Sequence, residues 1–228
     1  MSEWWTYRPE DFLLFSSRVY WRMFEMHNAA LWPLHVLTLA AGLAIIVLIA
    51  RRPGIWTRGA TLILALLWIF VGWSFLWHRY STINWAAAYI APAFFVEGVL
   101  LLAASLHGAL SFEKRRPADW IGYLILSFAL LGQPLLAPLQ GRGWASSEVF
   151  GIAPDPTAMA TLGILLLARG KLLPWLLPIP VLWCLISGMT LQTMGEPQAV
   201  VPYAALALAA AAFAWTMMRR RGLDSARS

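Results

Sequence analysis

Glu97 places a carboxyl group in an apolar run, twelve positions after Trp85. At ~1.5 Å per helical residue it lies ~18 Å along a helix, near the middle of a bilayer. A carboxylate at that depth needs a partner or takes up a proton, and such groups either serve ion and proton pathways or hydrogen-bond a neighbouring helix. Its helical face carries Ala86, Ala93, Ala104 and Gly108, a row small enough to let another helix approach and to turn Glu97 into a bundle. His78 follows Ser74 by one helical turn, so in an α-helix the two share a face. Asn84, in the turn beyond, either lines a polar site or caps the next helix. His27 and Asn28 precede the first long apolar segment, and His35 lies just inside it. An imidazole there can ligate a metal, carry a proton or sit as an interfacial polar group. The candidate binding residues are therefore Glu97, His78, Asn84, Ser74, Asn28 and His27. His27, His78 and Glu97 are the candidate metal ligands, without any H-E-x-x-H or H-x-x-x-H spacing to support a site. No catalytic residue and no cofactor is indicated.

The elements that must position these groups are membrane segments. The chain is 60% hydrophobic and 12% charged, with mean hydropathy +0.65, whereas a soluble domain carries roughly a quarter charged residues. Fourteen tryptophans suit the membrane–water interface, where an indole's body and N–H are both satisfied. The fold expected is all-α: an integral membrane bundle of seven transmembrane helices preceded by an N-terminal amphipathic helix. Residues 1–33 hold that interfacial helix, beginning near Pro9 with Asp11, Arg18, Arg22 and Glu25 as its polar stripe and His27 turned toward the bundle. Residues 34–218 hold the spans, at about 34–50, 60–77, 85–107, 120–139, 157–168, 172–191 and 199–218, and 219–228 form a basic tail. The fifth is short unless 151–156 enters the membrane with it, so a re-entrant segment remains the alternative. Pro134 and Pro138 in the fourth, and Pro174, Pro178 and Pro180 in the sixth, should kink or unwind their helices. The connection 141–163, rich in Gly, Pro and Ser, is either a lid over the outer face or an ordered loop.

Of seventeen basic residues, twelve fall at one side of these spans: Arg51, Arg52, Arg58, Lys114, Arg115, Arg116, Arg169, Lys171, Arg219, Arg220, Arg221 and Arg227. Arg8, Arg18, Arg22, Arg79 and Arg142 fall at the other. Basic residues resist translocation, which predicts a periplasmic N-terminus and a cytoplasmic C-terminus in a bacterial inner membrane. The net charge of +6 is thus a topology signal and gives no nucleic-acid partner; the bilayer is the partner expected, with a homo-oligomer or larger membrane complex open. Cys184 stands alone, which excludes an intramolecular disulfide and a multi-cysteine zinc site. No signal peptide precedes the first span.

Short motifs carry a resemblance over nearly the whole chain. They are His27-Asn28-x-x-x-Trp32-Pro33, Gly72 through His78, Ile83-Asn84-x-Ala86-Ala87, Phe150-Gly151-x-x-Pro154-x-Pro156-Thr157 with Thr161-Leu162-Gly163, and Leu182-Trp183 leading to Gly195-Glu196-Pro197-Gln198. In these the chain resembles an uncharacterised bacterial family of small multi-pass membrane proteins, a domain of unknown function, which implies the topology above and no activity. A fainter likeness is to the seven-span ceramidase and adiponectin-receptor hydrolases, through Glu25-Met26-His27-Asn28 and Ser74 to His78. Those hydrolases need an H-x-x-x-H in their last span, and residues 199–218 contain no histidine.

The function expected is binding or transport of a small solute or ion through an outward-facing polar cavity that leads to Glu97, since broken helices and midplane carboxylates are transporter devices. An accessory subunit of a larger membrane complex is the alternative. A membrane-embedded metal-dependent hydrolase is the second alternative, and catalysis is the less favoured class.

Overall fold

The computed structural model describes residues 15–51, 54–112 and 118–225. The helix start expected at Pro9 lies outside them. Helix α1 (Ser17–Leu31) begins instead at Ser16, whose hydroxyl accepts from the Val19 amide at 3.4 Å, the usual way of satisfying a free N-terminal donor. It buries Tyr20, Trp21, Met23, Phe24, His27 and Asn28 and leaves Arg22 paired to Glu25 at 2.6 Å on the outside.

Among the described residues six helical segments are long and apolar enough to cross a membrane. The first is α2 (Leu34–Arg51). The second is α3 (Ile55–Val71), which continues through a π-helical turn, Gly72–Trp77. The third is α4 (Ala86–His107). The fourth is α5 (Asp119–Ser127), followed by π and 3-10 turns around Pro134 and then by the short α6 (Leu136–Leu139). The fifth is α8 (Leu173–Leu176) with α9 (Pro178–Thr193), interrupted at Leu177 just before Pro178. The sixth is α10 (Val200–Ser225), so most of the basic tail expected at 219–228 is helical. The rewinding around Pro134 and the break before Pro178 have one cause: each proline lacks the N–H that the preceding turn would have used.

The remaining element, α7 (Pro154–Leu167), does not meet the length of a spanning helix, yet it is the centre of the molecule. All its residues except Leu166 are buried. It packs on α5 through facing glycines: a Cβ on Gly163 would stand 2.7 Å from the Gly122 carbonyl oxygen, and one on Gly122 equally close to the Gly163 oxygen. Only two glycines allow that separation.

Contacts fix which loops share an end. Ser17 donates to the Met194 carbonyl at 3.2 Å and Asn28 to the Ala145 carbonyl at 2.7 Å, so α1, the 140–153 loop and the 194–199 turn lie together. At the opposite end Ser111 and Arg169 exchange backbone hydrogen bonds, both 2.8 Å. Helix α7 therefore leads from the first end to the second. Exposed tryptophans gather at both ends, Trp32, Trp73, Trp77, Trp85 and Trp144 at one and Trp56, Trp120 and Trp175 at the other, as two interfacial belts would require.

Candidate functional site

The connection 140–153 turns inward. Gly141, at φ +77°, reverses the chain after α6, and a 3-10 turn at Trp144–Ser146 follows. Ser147 then donates to the Pro134 carbonyl at 2.8 Å, and the chain from Ser146 to Ala153 is buried. Gly151, at φ +74°, passes so near Leu67 that a Cβ would lie 2.8 Å from its Cδ2. Its amide donates to Thr157 Oγ1 at 2.9 Å, which in turn donates to the Ala153 carbonyl at 2.7 Å. Pro154, in the first turn, has no N–H to satisfy.

This path carries two acids inside. Glu148 is 2% exposed and Asp155 1%. Glu148 Oε2 accepts from Gln133 Nε2 at 3.0 Å and from Gln198 Nε2. Gln198 Oε1 accepts from Arg142 Nη2 at 2.6 Å, and the Arg142 guanidinium lies 3.3 Å over the Trp21 ring of α1. Asp155 accepts from Trp183 Nε1 at 2.7 Å and from Ser187 Oγ at 2.5 Å. The two carboxyl groups are neighbours, yet Glu148 Oε1 has no hydrogen-bond partner of good geometry. Nor do Gln133 Oε1, Arg142 Nε and Nη1 or Trp21 Nε1. Burial, and then the charge of Asp155, push the Glu148 carboxyl up to about 8, against the opposing pull of Arg142 and the two glutamine amides. Adjacent buried carboxyls share protons as a pair.

Asn28 helps to build this site without lining a cavity. Its amide donates to the Ala145 and Ser147 carbonyls at 2.7 and 2.8 Å, and its oxygen lies 3.1 Å from His35 Nε2. His27 is buried edge-on against Phe75, ring centroids 5.2 Å apart, with Nε2 unpartnered. Burial, with Arg79 adding to it, pulls its imidazole down to about 4, against a hydrogen bond to the Ile152 backbone, so it is neutral at ordinary pH.

The other expected residues separate. Ser74 and His78 do not pair, because the π turn bonds the His78 amide to the Trp73 carbonyl at 3.2 Å and moves a residue four positions on away from the shared face. Ser74 Oγ is left unpartnered, and His78 is exposed, its ring 4.4 Å from that of Trp73. Asn84 Oδ1 accepts from the Ala86 amide at 3.1 Å, a helix-start contact. Glu97 is fully buried, and neither carboxyl oxygen has a hydrogen-bond partner. Of its expected small-residue face only Ala104 is also buried; Gly108 is exposed. The helix contact runs one residue round, where a Cβ on Gly98 would stand 2.5 Å from Ile69 Cγ1. Among the described residues no three His, Cys, Asp or Glu side chains form a metal-holding group, so His27, His78 and Glu97 do not assemble one. Glu25, paired to Arg22, does not join one either.

Sequence reasoning missed Glu148, Asp155, Gln133, Gln198 and Arg142. A usable signal was present: the stretch Ser147-Glu148-Val149-Phe150-Gly151-Ile152-Ala153 is too apolar for a wet loop. The motifs named above also converge here, with Asn28 from the first, Asp155 between the two prolines, and Trp183 and Gln198 from the last pair.

An all-helical bundle with six membrane-length apolar helices, tryptophan belts and a buried polar centre defines a polytopic membrane-type protein. The chain belongs to a family of unknown function, DUF6064, which matches residues 17–223. No curated protein and no solved structure matches it.

Proposed function

We propose that this protein binds and moves a small ion or polar solute across a bacterial inner membrane, that its exchangeable ion is the proton, and that the Glu148–Asp155 pair is its outer station. The observation that carries the proposal is the pair itself: two neighbouring acids, both buried, among five polar atoms that lack partners. A carboxyl held near 8 exchanges its proton close to neutral pH. In this reading the chain crosses the membrane seven times, with α7 and residues 151–153 as the central crossing, the N-terminus periplasmic and the C-terminus cytoplasmic. Helix α1 lies in the outer interface as a cover, seated by Phe24 on Phe75 and by Trp21 under Arg142.

Glu97 is the deeper station. Asp155 holds Trp183, whose ring meets Phe94 edge-on at 5.1 Å, and Phe94 meets Trp68 at 4.5 Å. Phe94 lies one turn before Glu97 on α4, so an aromatic plug separates the two acidic sites. A proton or solute passes only when those rings rotate, and a plug of that kind keeps the two stations from communicating continuously.

The test is dissipation of an imposed pH gradient in proteoliposomes holding the full chain, with valinomycin and potassium to compensate charge and a trapped pH dye as the readout. Wild type should discharge the gradient faster than empty vesicles. Glu148→Gln and Glu97→Gln should each return it to the empty-vesicle rate while eluting as the same monodisperse species. A wild-type rate equal to that of empty vesicles, or two variants as fast as wild type, refutes the reading.

A further inference from the structure

A second feature lies away from the acidic site, at the end that holds Ser111 and Arg169. A groove of about 640 Å³ opens between α7, α9 and α10, and its walls include Leu162, Val181, Leu206, Ala209 and Phe213. It exists because α10 presents alanines there, while nearer the other end α9 and α10 close up. At that closure Gly188 meets Tyr203, and a Cβ on Gly188 would lie 2.7 Å from the ring. Along α10 the lining runs from Leu206 to Thr216, ten residues or ~15 Å, half the ~30 Å hydrocarbon core. The groove is therefore one leaflet deep.

Its closed depth is apolar and its mouth is charged. Asp119 and Arg169 line the mouth, with Arg169 Nη2 3.9 Å from Asp119 Oδ1 and Nη1 2.9 Å from the Ala168 carbonyl. Lys171, exposed two residues beyond Arg169, adds a second cation at this end. An apolar slot of leaflet depth, with the two cations Arg169 and Lys171 against the single acid Asp119 at its end, fits one acyl chain below an anionic headgroup.

We infer that this groove is a binding site for one anionic phospholipid from the leaflet at the basic end, with an acyl chain between α7, α9 and α10 and the headgroup phosphate at Arg169. The inference rests on membrane embedding and not on proton movement, so the two readings fail separately.

The experiment is native mass spectrometry of the full chain after exchange into lipid-free detergent, incubated with phosphatidylglycerol or with phosphatidylcholine of the same acyl chains. Wild type should retain one phosphatidylglycerol per chain, several-fold more than phosphatidylcholine, and that lipid should raise its unfolding temperature. Ala209→Leu, which narrows the slot, should lose retention of both lipids. Arg169→Gln should bring phosphatidylglycerol down to the phosphatidylcholine level. Unfolding in lipid-free detergent identifies a variant that has simply failed to fold; the lipid preference of the other variant then decides. Equal retention of the two lipids by wild type, or unaltered phosphatidylglycerol retention in a folded variant, overturns the inference.

Discussion

The acidic network makes a quantitative claim about pH through Glu148→Gln. Glu148 sits near 8 in the folded chain against an ordinary 4.5, so above 4.5 the unfolded chain ionises this group while the folded chain keeps it protonated. Its contribution to stability is complete below 4.5 and falls as pH rises toward 8, by ~1.36 kcal/mol per pH unit. His27 works in the opposite sense. Held at about 4 against an ordinary 6.5, it contributes stability that is complete above 6.5 and falls as pH drops toward 4. Between 4.5 and 6.5 the two slopes oppose each other. Between 6.5 and 8 His27 no longer contributes, and the Glu148 carboxyl should cost wild type roughly 2 kcal/mol over that window.

At ~2–4 °C per kcal/mol for a chain of this size, the apparent unfolding midpoint should fall by about 4–8 °C from pH 6.5 to pH 8. Glu148→Gln keeps the shape of the side chain and removes its titration, so the variant's midpoint should fall less than that of wild type over the same window. The two curves should cross or converge toward low pH. Intrinsic tryptophan fluorescence of detergent-solubilised protein reads the transition, because Trp21 and Trp183 both border the site. Parallel profiles for wild type and variant would show that Glu148 does not hold a proton in the folded chain, and the proton role would fall with it.

His27→Phe should remove the acid-side loss, leaving stability higher than wild type at pH 5 relative to pH 7 in the same fluorescence assay. Asn28→Ala strips the donors from two carbonyls of the inward loop and should cost about 2 kcal/mol; hydrogen exchange at 144–147 should accelerate more than exchange in α7. Gly163→Ala places a Cβ 2.7 Å from one backbone oxygen and 2.9 Å from the Leu126 amide nitrogen, with no flexible atom to yield, and should lower stability by ~1–3 kcal/mol. Gly59→Ala, whose Cβ would meet only Leu48 Cδ1 at 3.5 Å inside α3, is the matched control and should leave stability unchanged or up to about 1 kcal/mol higher in the same thermal assay.

Hydropathy made the long helices legible because each needs only a continuous apolar run. Their ends agree with the reading to within a few residues, except that α3 begins at Ile55 and α10 continues to Ser225. The burial of Glu97 was legible for the same reason: nothing near it in sequence offers water or a cation. Pairing across a turn was not. Ser74 and His78 were expected to share a face on α-helical spacing, and a single π turn was enough to part them, since a wider turn moves every later side chain round the axis.

The acidic site was hidden by a reasonable assumption about loops. Reading 141–163 as a connection, lid or ordered loop, treats it as solvated, so Glu148 and Asp155 were not among the candidate residues. Burying them depends on partners far away in the chain: Gln198 fifty residues on, Trp183 twenty-eight residues beyond Asp155, and α1 laid over the top. No local pattern encodes such a set. What the sequence did contain was a cost without a visible compensation, two acids among valine, phenylalanine, isoleucine and proline. Glu97 presents the same kind of cost. In a chain this apolar, an acid in an apolar stretch marks either a place where distant polar side chains converge, as at Glu148 and Asp155, or a carboxyl left without a hydrogen-bond partner, as at Glu97. That cost singles out Glu148, Asp155 and Glu97, whereas His78, exposed beside Trp73, carries no such cost.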